Sequence, residues 1–267
     1  MFVVSPTPGH VPGALPREED DVIQLLKAML GQSGGRTMTA ATLGDPSPAT
    51  RRDGAGTMAD LLATVRRLDA DASPFGVPVI DCREFATGLL DGRAEPLPPH
   101  TALLPREYRM GFPGGADPLS CDLRYPLAEA LPEGPLMLGR TVVDRWHVFH
   151  YGGRLIFTRS GIGDPVFAAE LVAGDGEMRV PRIMAASGMV ESGPDLAVAM
   201  VDFLIKSHLF RVAAPHPLPA DLPDDPALAA TWSFTQFGRW GHYGARVDVT
   251  RLRLVGSRRG LALMWIT

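Results

Sequence analysis

Apolar residues recur at helical spacing in several parts of the chain and predict amphipathic helices there. These helices are predicted over residues 17–30, 57–68, 84–90 and 192–207. The second begins at Thr57, whose side chain is placed to form a capping box with Asp60. The fourth has a Ser-x-x-Asp cap that begins at Ser192, and Pro194 lies in its first turn, where proline is favourable. Each apolar face must pack on another element of the fold.

A second pattern, in which apolar runs are separated by turn residues, predicts antiparallel strands. The predicted strands span residues 140–151, 154–160, 166–173 and 178–184, which form a meander, and residues 247–255 and 261–266, which form a terminal hairpin. Gly152-Gly153 suits a two-residue type I′ turn, because both positions need positive φ. Pro181 places the fourth meander strand at a sheet edge. A short strand over residues 77–80 is expected at an edge because of Pro78.

These elements predict an α+β fold, in which an antiparallel β-meander packs against amphipathic helices and long Pro- and Gly-rich connections join the elements. The connections are residues 31–56, 92–135 and 213–230. The prolines of residues 92–135 are expected to exclude any long regular element there. Residues 1–135 then form a helical and loop-rich region and residues 136–267 a region of sheet and helix, in two domains or in one. The terminal hairpin either completes the meander sheet or pairs with N-terminal strands.

Composition narrows the classes of function. The formal net charge of −4 supplies no basic surface for a nucleic-acid backbone. No apolar run reaches the roughly 18–20 residues of a membrane span, and the N-terminus lacks the basic region of a signal peptide. Cys82 and Cys121 are too few for a disulfide framework, so two reduced thiols and a cytoplasmic location are expected. Neither nucleic acid nor a membrane is expected as a partner.

Few residues carry a recognisable chemical signature. No nucleotide-binding, zinc-protease or nucleophile-elbow motif is present, so no cofactor is predicted. His147 and His150 lie on opposite faces of a strand and cannot hold one metal ion together, so no metal site is predicted. A nucleophilic pair of Cys82 or Cys121 with a histidine stays open, because such partners meet in space. The aromatic segment Trp232–Tyr243 is expected to pack the terminal hairpin on the core, with a ligand- or partner-binding loop as the alternative.

The meander hairpin supplies the one arrangement with predictable geometry. A two-residue loop sets Trp146 opposite Arg159 on neighbouring strands, so that the guanidinium can lie on the indole face. Arg159 also enters a turn that contains Ser160, Gly161, Gly163 and Asp164. The backbone N–H groups of that turn and the guanidinium form a candidate clamp for a carboxylate or phosphate. The structural alternative is that Arg159 only stacks on Trp146 while the turn reverses the chain.

The same hairpin carries a resemblance. Trp146, Gly152-Gly153 and Leu155–Ser160 form a pattern that resembles a hairpin of small uncharacterised bacterial proteins. In that family Arg-Ser is followed by Trp-Thr-Gly, whereas this chain has Gly161-Ile162-Gly163 and lacks the Trp and Thr. The similarity covers residues 140–210. Some proteins of that kind are immunity or interaction proteins, so the resemblance implies binding rather than catalysis.

We therefore predict a cytoplasmic bacterial protein that acts by binding a protein partner, with an immunity-like role. The alternative is an enzyme that holds a small anionic substrate with Arg159 and the turn 160–164, and that uses Asp164 or His242 as acid or base. A third possibility is a homo-oligomer that associates through a sheet edge or the aromatic segment. Whether the chain has any catalytic activity stays open.

Overall fold

A computed structural model describes ten stretches of the chain. They are residues 57–89, 95–99, 103–104, 108–109, 116–127, 129–174, 176–186, 189, 193–257 and 260–265. The predicted helix over residues 17–30 and the connection 31–56 lie outside the described residues. Within them the fold is α+β, as predicted, with antiparallel sheets and a few helices. In these stretches no helix combines the length and the apolar character needed to cross a membrane.

The described elements are as follows. The α-helices are α1 (Met58–Leu62), α2 (Arg83–Gly88), α3 (Pro194–Leu204) and α4 (Pro226–Phe237). A π-helix, Ile205–Leu209, continues α3, and 3₁₀ turns span Gly238–Trp240 and Val249–Arg251. The strands are β1 (Arg66–Leu68), β2 (Val79–Asp81), β3 (Ala116–Pro126), β4 (Gly134–Met137), β5 (Trp146–Tyr151), β6 (Arg154–Arg159), β7 (Pro165–Glu170), β8 (Val172–Gly174), β9 (Glu177–Ala186), β10 (His216–Pro217), β11 (Tyr243–Ala245), β12 (Leu252–Ser257) and β13 (Gly260–Trp265).

The main sheet contains the predicted meander. In the described residues its order is β3-β9-β7-β6-β5-β4, and β8 also pairs with β9. Gly152 and Gly153 join β5 to β6 with φ of 57° and 69°, which is the type I′ conformation. Trp146 lies opposite Arg159 in the register of these two strands. The predicted turn, strand pair and register are therefore confirmed.

Two prolines do not place their strands at a sheet edge, contrary to the prediction. β9 lies between β3 and β7, and Pro181 is tolerated there because β3 has one extra residue between Ser120 and Leu123, where the register shifts. A bulge of this kind removes the need for a backbone donor from the facing strand. β2 lies between β1 and β11, and Pro78 precedes the first residue of that strand, so it interrupts no pairing.

The connection 92–135 holds a long element, which corrects the expectation that its prolines exclude one. β3 has 11 residues and is an edge strand of the main sheet in the described structure. Pro118 and Pro126 lie towards its two ends. An edge strand needs backbone donors on one side only, so prolines are compatible with it.

Two helix predictions also need correction. The capping box of Thr57 and Asp60 is present, but α1 ends at Leu62 and the next residues form β1, because they pair with β2. α4 lies partly in the predicted connection 213–230, where Asp225 is the N-cap and Pro226 lies in the first turn. A proline at that position begins a helix rather than breaking one. The first half of the aromatic segment is thus the end of α4, and a 3₁₀ turn follows it.

α3 begins at Pro194, close to the predicted start. Ser192 lies outside the described residues, and the N-cap, Gly193, makes no side-chain cap. The terminal hairpin is confirmed as β12 and β13. It forms a separate two-stranded sheet, so neither of its two predicted pairings occurs in the described structure. Strands from both sides of residue 135 share two sheets, since β3 pairs with β9 and β2 pairs with β11.

Aromatic rings fill the core between α3 and α4. The cluster contains Phe203, His208, His216, Trp232, Phe237 and Trp240, with ring centroids 4.6–6.3 Å apart. His208 and His216 are fully enclosed. Burial lowers the pKa of each imidazole to about 3, and for His208 the nearby Arg211 and Arg239 act in the same direction. Both histidines are therefore neutral parts of the core at physiological pH.

This cluster predicts an acid-sensitive fold. The folded-state pKa of His216 lies below its unfolded value near 6.5, so its full contribution is present above about pH 6.5. As the pH falls from about 6.5 towards 3, only the unfolded chain takes up the proton, and stability drops by about 1 kcal/mol per pH unit for each such histidine. We expect His216→Phe to make this pH dependence shallower in urea unfolding. Phe237→Leu, which removes packing but no titrating group, should keep the wild-type slope; a His216→Phe slope equal to it would contradict the prediction.

Candidate functional site

Arg159 lies on the face of the Trp146 ring, as the hairpin geometry predicts. The Arg159 Cζ atom lies 4.1 Å from the centroid of the Trp146 ring. The Trp146 Nε1–H and an Arg159 N–H both donate to the carbonyl of Gln236, at 2.8 and 2.9 Å, and a second guanidinium N–H donates to the Gln236 side-chain oxygen. Gln236 lies in the last turn of α4, where a cation is favourable beside unpaired carbonyls. The guanidinium thus caps α4 and ties it to the sheet.

The rest of the predicted clamp is closed by its own backbone. The Gly163 N–H donates to the Arg159 carbonyl at 2.7 Å, and the Arg159 N–H donates to the Asp164 carbonyl at 3.0 Å. Ser160 is buried, and its hydroxyl has no partner among the described residues. Gly161 is half-buried and Asp164 is exposed. Because these donors already serve the fold, this geometry matches the structural alternative, and anion binding by the turn stays a prediction.

The sequence did not point to a cleft of about 810 Å³ in the described part of the structure. It lies between β3, α3 and the segment from Arg246 to Arg253, and we call it the cleft from here on. Its lining comprises Ser120–Arg124, Gly193–Leu196, Val198, Ala199, Asp202, Lys206, Pro217, Leu218, Ala220, Arg246–Asp248, Thr250, Arg251 and Arg253. Cavities that bind small molecules in proteins have volumes of roughly 300–1,000 Å³.

A bulge forms one side of the cleft. Cys121 and Asp122 are the two β3 residues that face Pro181, and both line the cavity. The Cys121 thiol lies 3.2 Å from the Val180 carbonyl, and burial raises its pKa to about 11. Such a thiol is protonated at neutral pH, which makes it a poor nucleophile. The open possibility of a Cys–His pair gains no support from this position.

A buried ion pair forms the inner wall of the cleft. Lys206 Nζ donates to Asp202 Oδ2 and, at 3.2 Å, to the Val249 carbonyl, while the Tyr125 hydroxyl donates to Asp202 Oδ1 at 2.8 Å. Both charged side chains are only 3% exposed. Burial raises the pKa of Asp202, and burial together with the Asp202 charge raises the pKa of Tyr125. A buried pair is costly to desolvate, and perturbed groups in a cleft are typical of functional sites.

The backbone beneath this pair is irregular. The Phe210 N–H donates to the Ile205 carbonyl at 3.1 Å, which is the i→i+5 bond of a π-helix, and Lys206 lies within that turn. Arg211, directly after it, has a φ of 58°, a value that is costly for a residue with a side chain. π-Helical turns occur frequently at functional sites, because they redirect side chains at some cost in regularity. The position of Lys206 in the cleft depends on this turn.

Arginines also line the cleft, and we call the segment from Arg246 to Arg253 that carries them the arginine wall. Arg246 donates to the Pro223 carbonyl at 2.7 Å, and the Arg251 Cζ atom lies 5.2 Å from the centroid of the Trp265 ring. The side chain of Arg253 has no hydrogen-bond or ion-pair partner among the described residues. Arg246 also forms an ion pair with Asp224, at 3.7 Å. The cleft is therefore lined both by arginines and by the buried pair of Asp202 and Lys206.

The cleft residues come from four separate parts of the chain, so no spacing in the sequence brings them together. One signal was available. Asp202 and Lys206 stand four residues apart within the largely apolar run of α3 and the π-helix, where two charges of opposite sign indicate a buried pair. We find no comparable signal for the arginines.

His147 and His150 lie apart, as the strand geometry requires. His147 is buried and its Nδ1 accepts the Gly139 N–H at 2.9 Å, whereas His150 Nδ1 lies 3.0 Å from the Pro132 carbonyl. Among the described residues, no group of three or more His, Cys, Asp or Glu side chains is placed to hold a metal ion.

No protein-family model, curated protein or solved structure matches this chain. The resemblance of the hairpin to small bacterial proteins therefore stays a prediction, and so does the immunity-like role that it implies.

The capping contact of Arg159 generates a prediction. We expect Arg159→Ala to lower the free energy of unfolding by about 1–3 kcal/mol, because the Gln236 oxygens lose their charged donors and the Trp146 ring loses its cover. The measurement is urea unfolding at neutral pH. Arg66→Ala is the control, since that side chain is 68% exposed and should change stability by less than about 0.5 kcal/mol. If Arg159→Ala is as stable as the wild type but no longer binds a carboxylate or phosphate, the result would support the anion clamp instead.

Proposed function

We propose that the protein acts by binding, and that its ligand is a small organic anion held in the cleft. The observation that carries the proposal is that Arg246, Arg251 and Arg253 all line a cavity of about 810 Å³. Guanidinium groups bind carboxylates and phosphates through paired hydrogen bonds. This ligand class is the one assigned to the enzyme alternative, but the binding site is moved from the hairpin to the cleft.

The acidic residues that line the cleft are compatible with the binding of an anion. Asp122 accepts hydrogen bonds from Arg124 and Arg179, and Asp202 is paired with Lys206. Asp248 accepts from the N–H and the hydroxyl of a neighbouring threonine at the start of a 3₁₀ turn. Most carboxylates of the lining are thus already neutralised or hydrogen-bonded, which favours an anion at the arginine wall.

A second candidate function is association with a protein, in an immunity-like or oligomeric role. The observation that favours it is the terminal hairpin, where Leu261, Met264 and Trp265 are 39%, 56% and 36% exposed. In the described structure β13 pairs with β12 along one edge only, and an open strand edge with apolar side chains is a typical site of strand pairing. We propose a second copy of this chain as the partner, because two identical edges pair readily about a twofold axis.

We also propose a cytoplasmic location in a bacterium. Both cysteines are free thiols in the structure, which is compatible with a reducing compartment. The bacterial origin rests on the resemblance of the hairpin.

The anion proposal predicts ligand-dependent stabilisation. Succinate, citrate or inorganic phosphate should raise the thermal midpoint of the wild-type protein at constant ionic strength, since a ligand of the folded state stabilises it by mass action. Arg253→Gln should weaken the affinity about tenfold, the effect of losing one charged hydrogen bond. Arg182→Gln, an exposed position of β9 outside the cleft, should leave the affinity unchanged. Absence of stabilisation by all three anions would refute the proposal.

The hairpin candidate predicts self-association. Light scattering after size exclusion should give a mass that rises with concentration towards that of a dimer, and Met264→Asp should return the protein to a monomer because it places a charge in the apolar contact. Leu103→Asp is the matched control, since Leu103 is also exposed, at 70%, but is not part of the hairpin. A wild-type monomer at all concentrations would exclude the second copy as partner.

A further inference from the structure

Lysine is rare in this chain compared with arginine. Of its 26 basic residues, two are lysine, Lys27 and Lys206, and the rest are arginine. Arginine also provides the surface cations and the buried cap on α4. Arginine is always charged, whereas a lysine amine loses its proton readily when buried and then acts as a nucleophile. Among the described residues Lys206 is the most deeply buried of the lysine and arginine side chains, which indicates a need for its amine.

The surroundings of Lys206 suit such a role. The side chain lines the cleft, and its carboxylate partner Asp202 is equally buried. An ammonium group has three N–H donors, and within the described residues two acceptors are present, Asp202 and the Val249 carbonyl. The third donor position is therefore available to a ligand in the cavity. Lys206 lies in the π-helical turn, which is the second irregular backbone segment beside the cleft after the bulge of β3.

We infer that Lys206 forms an imine with the carbonyl carbon of a small oxo acid bound in the cleft. This inference rests on the proposed function, since the arginine wall would hold the carboxylate of the same ligand. The inference narrows the proposed ligand class from small organic anions to acids that carry an aldehyde or ketone group.

The reaction balances with groups of this chain alone. The Lys206 ammonium first gives a proton to Asp202, and burial, which raises the pKa of that carboxyl, favours the neutral pair. The amine nitrogen then attacks the carbonyl carbon, and the C=O π electrons move to the oxygen. One proton passes from the attached nitrogen to that oxygen, which gives a neutral carbinolamine with a hydroxyl group. Asp202 returns its proton to that hydroxyl, the C–O bond breaks and water leaves. The product is a protonated imine on Lys206 beside the Asp202 carboxylate, so the ion pair is preserved and no oxidant or reductant is consumed.

Other groups around the pair assist in holding it. The Tyr125 hydroxyl donates to Asp202 and fixes the orientation of the carboxyl. Asp248 raises the pKa of Asp202 further by its negative charge. Cys121 lies nearby but is protonated and does not compete as a nucleophile. Tyr125 is thus a positioning residue, and Lys206 with Asp202 would carry out the chemistry.

The test is reductive trapping on the full-length protein. Pyruvate or 2-oxoglutarate is added with sodium cyanoborohydride at neutral pH, which converts an imine to a stable secondary amine, and the modified lysine is located by peptide mass spectrometry. The cleft would hold the carbonyl group of the bound acid beside the Lys206 nitrogen, so we expect Lys206 to be modified at least about ten times faster than Lys27. Equal rates at the two lysines, or modification of Lys27 alone, would overturn the inference.

Two variants sharpen the result. Lys206→Arg keeps the charge but has no nucleophilic amine, so specific trapping should be lost, whereas Lys27→Arg should leave it unchanged. The thermal midpoint of each variant is measured in parallel. If Lys206→Arg does not fold, the rate comparison within the wild-type chain decides the question by itself.

Succinate separates this inference from the proposed function, because it is an anion without a carbonyl group. Fast trapping at Lys206 that succinate inhibits supports both. Stabilisation by succinate without trapping at Lys206 overturns the imine and leaves anion binding intact. A third outcome is trapping at Lys206 that succinate does not inhibit, together with no stabilisation of the protein by succinate. This outcome supports the imine and refutes the anion site.

Discussion

The buried pair of Asp202 and Lys206 is the interaction on which the arrangement of the fold around the cleft depends. It joins α3 and the π-helix, accepts a hydrogen bond from Tyr125 on β3, and donates one to the carbonyl of Val249. Such a pair adds little stability by itself, but loss of either partner leaves an isolated buried charge, which typically costs about 3–5 kcal/mol. The pair therefore fixes where three elements of the chain lie with respect to one another.

A second polar contact attaches another helix to the main sheet in the same way. Trp146 and Arg159 both donate to Gln236, so one hairpin of the sheet is attached to the end of α4. Gly238 follows at once with a φ of 56°, and a Cβ atom there would lie 1.8 Å from the Val143 carbonyl. Only glycine permits that approach, and the cap and the close contact together determine how α4 meets the sheet.

Sequence reasoning succeeded where the determinants are local. The paired glycines at 152 and 153 select one turn type, and that turn sets Trp146 against Arg159 without reference to the rest of the chain. It failed where the structural role of a residue depends on residues that are distant in the sequence but close in the fold. Pro181 was assigned to an edge because the facing bulge of β3, some sixty residues earlier in the chain, could not be anticipated. The cleft was missed for the same reason, since its walls meet only in the folded chain.

The bulge of β3 and the π-helix after α3 are the two places in the described structure where regular hydrogen bonding is interrupted beside the cleft. Backbone segments with fewer mutually supporting hydrogen bonds open locally at a smaller free-energy cost than the centre of a sheet. Two of the irregular backbone segments of the fold therefore border the cleft. Local fluctuations of these two segments can admit or release a ligand without unfolding of the main sheet.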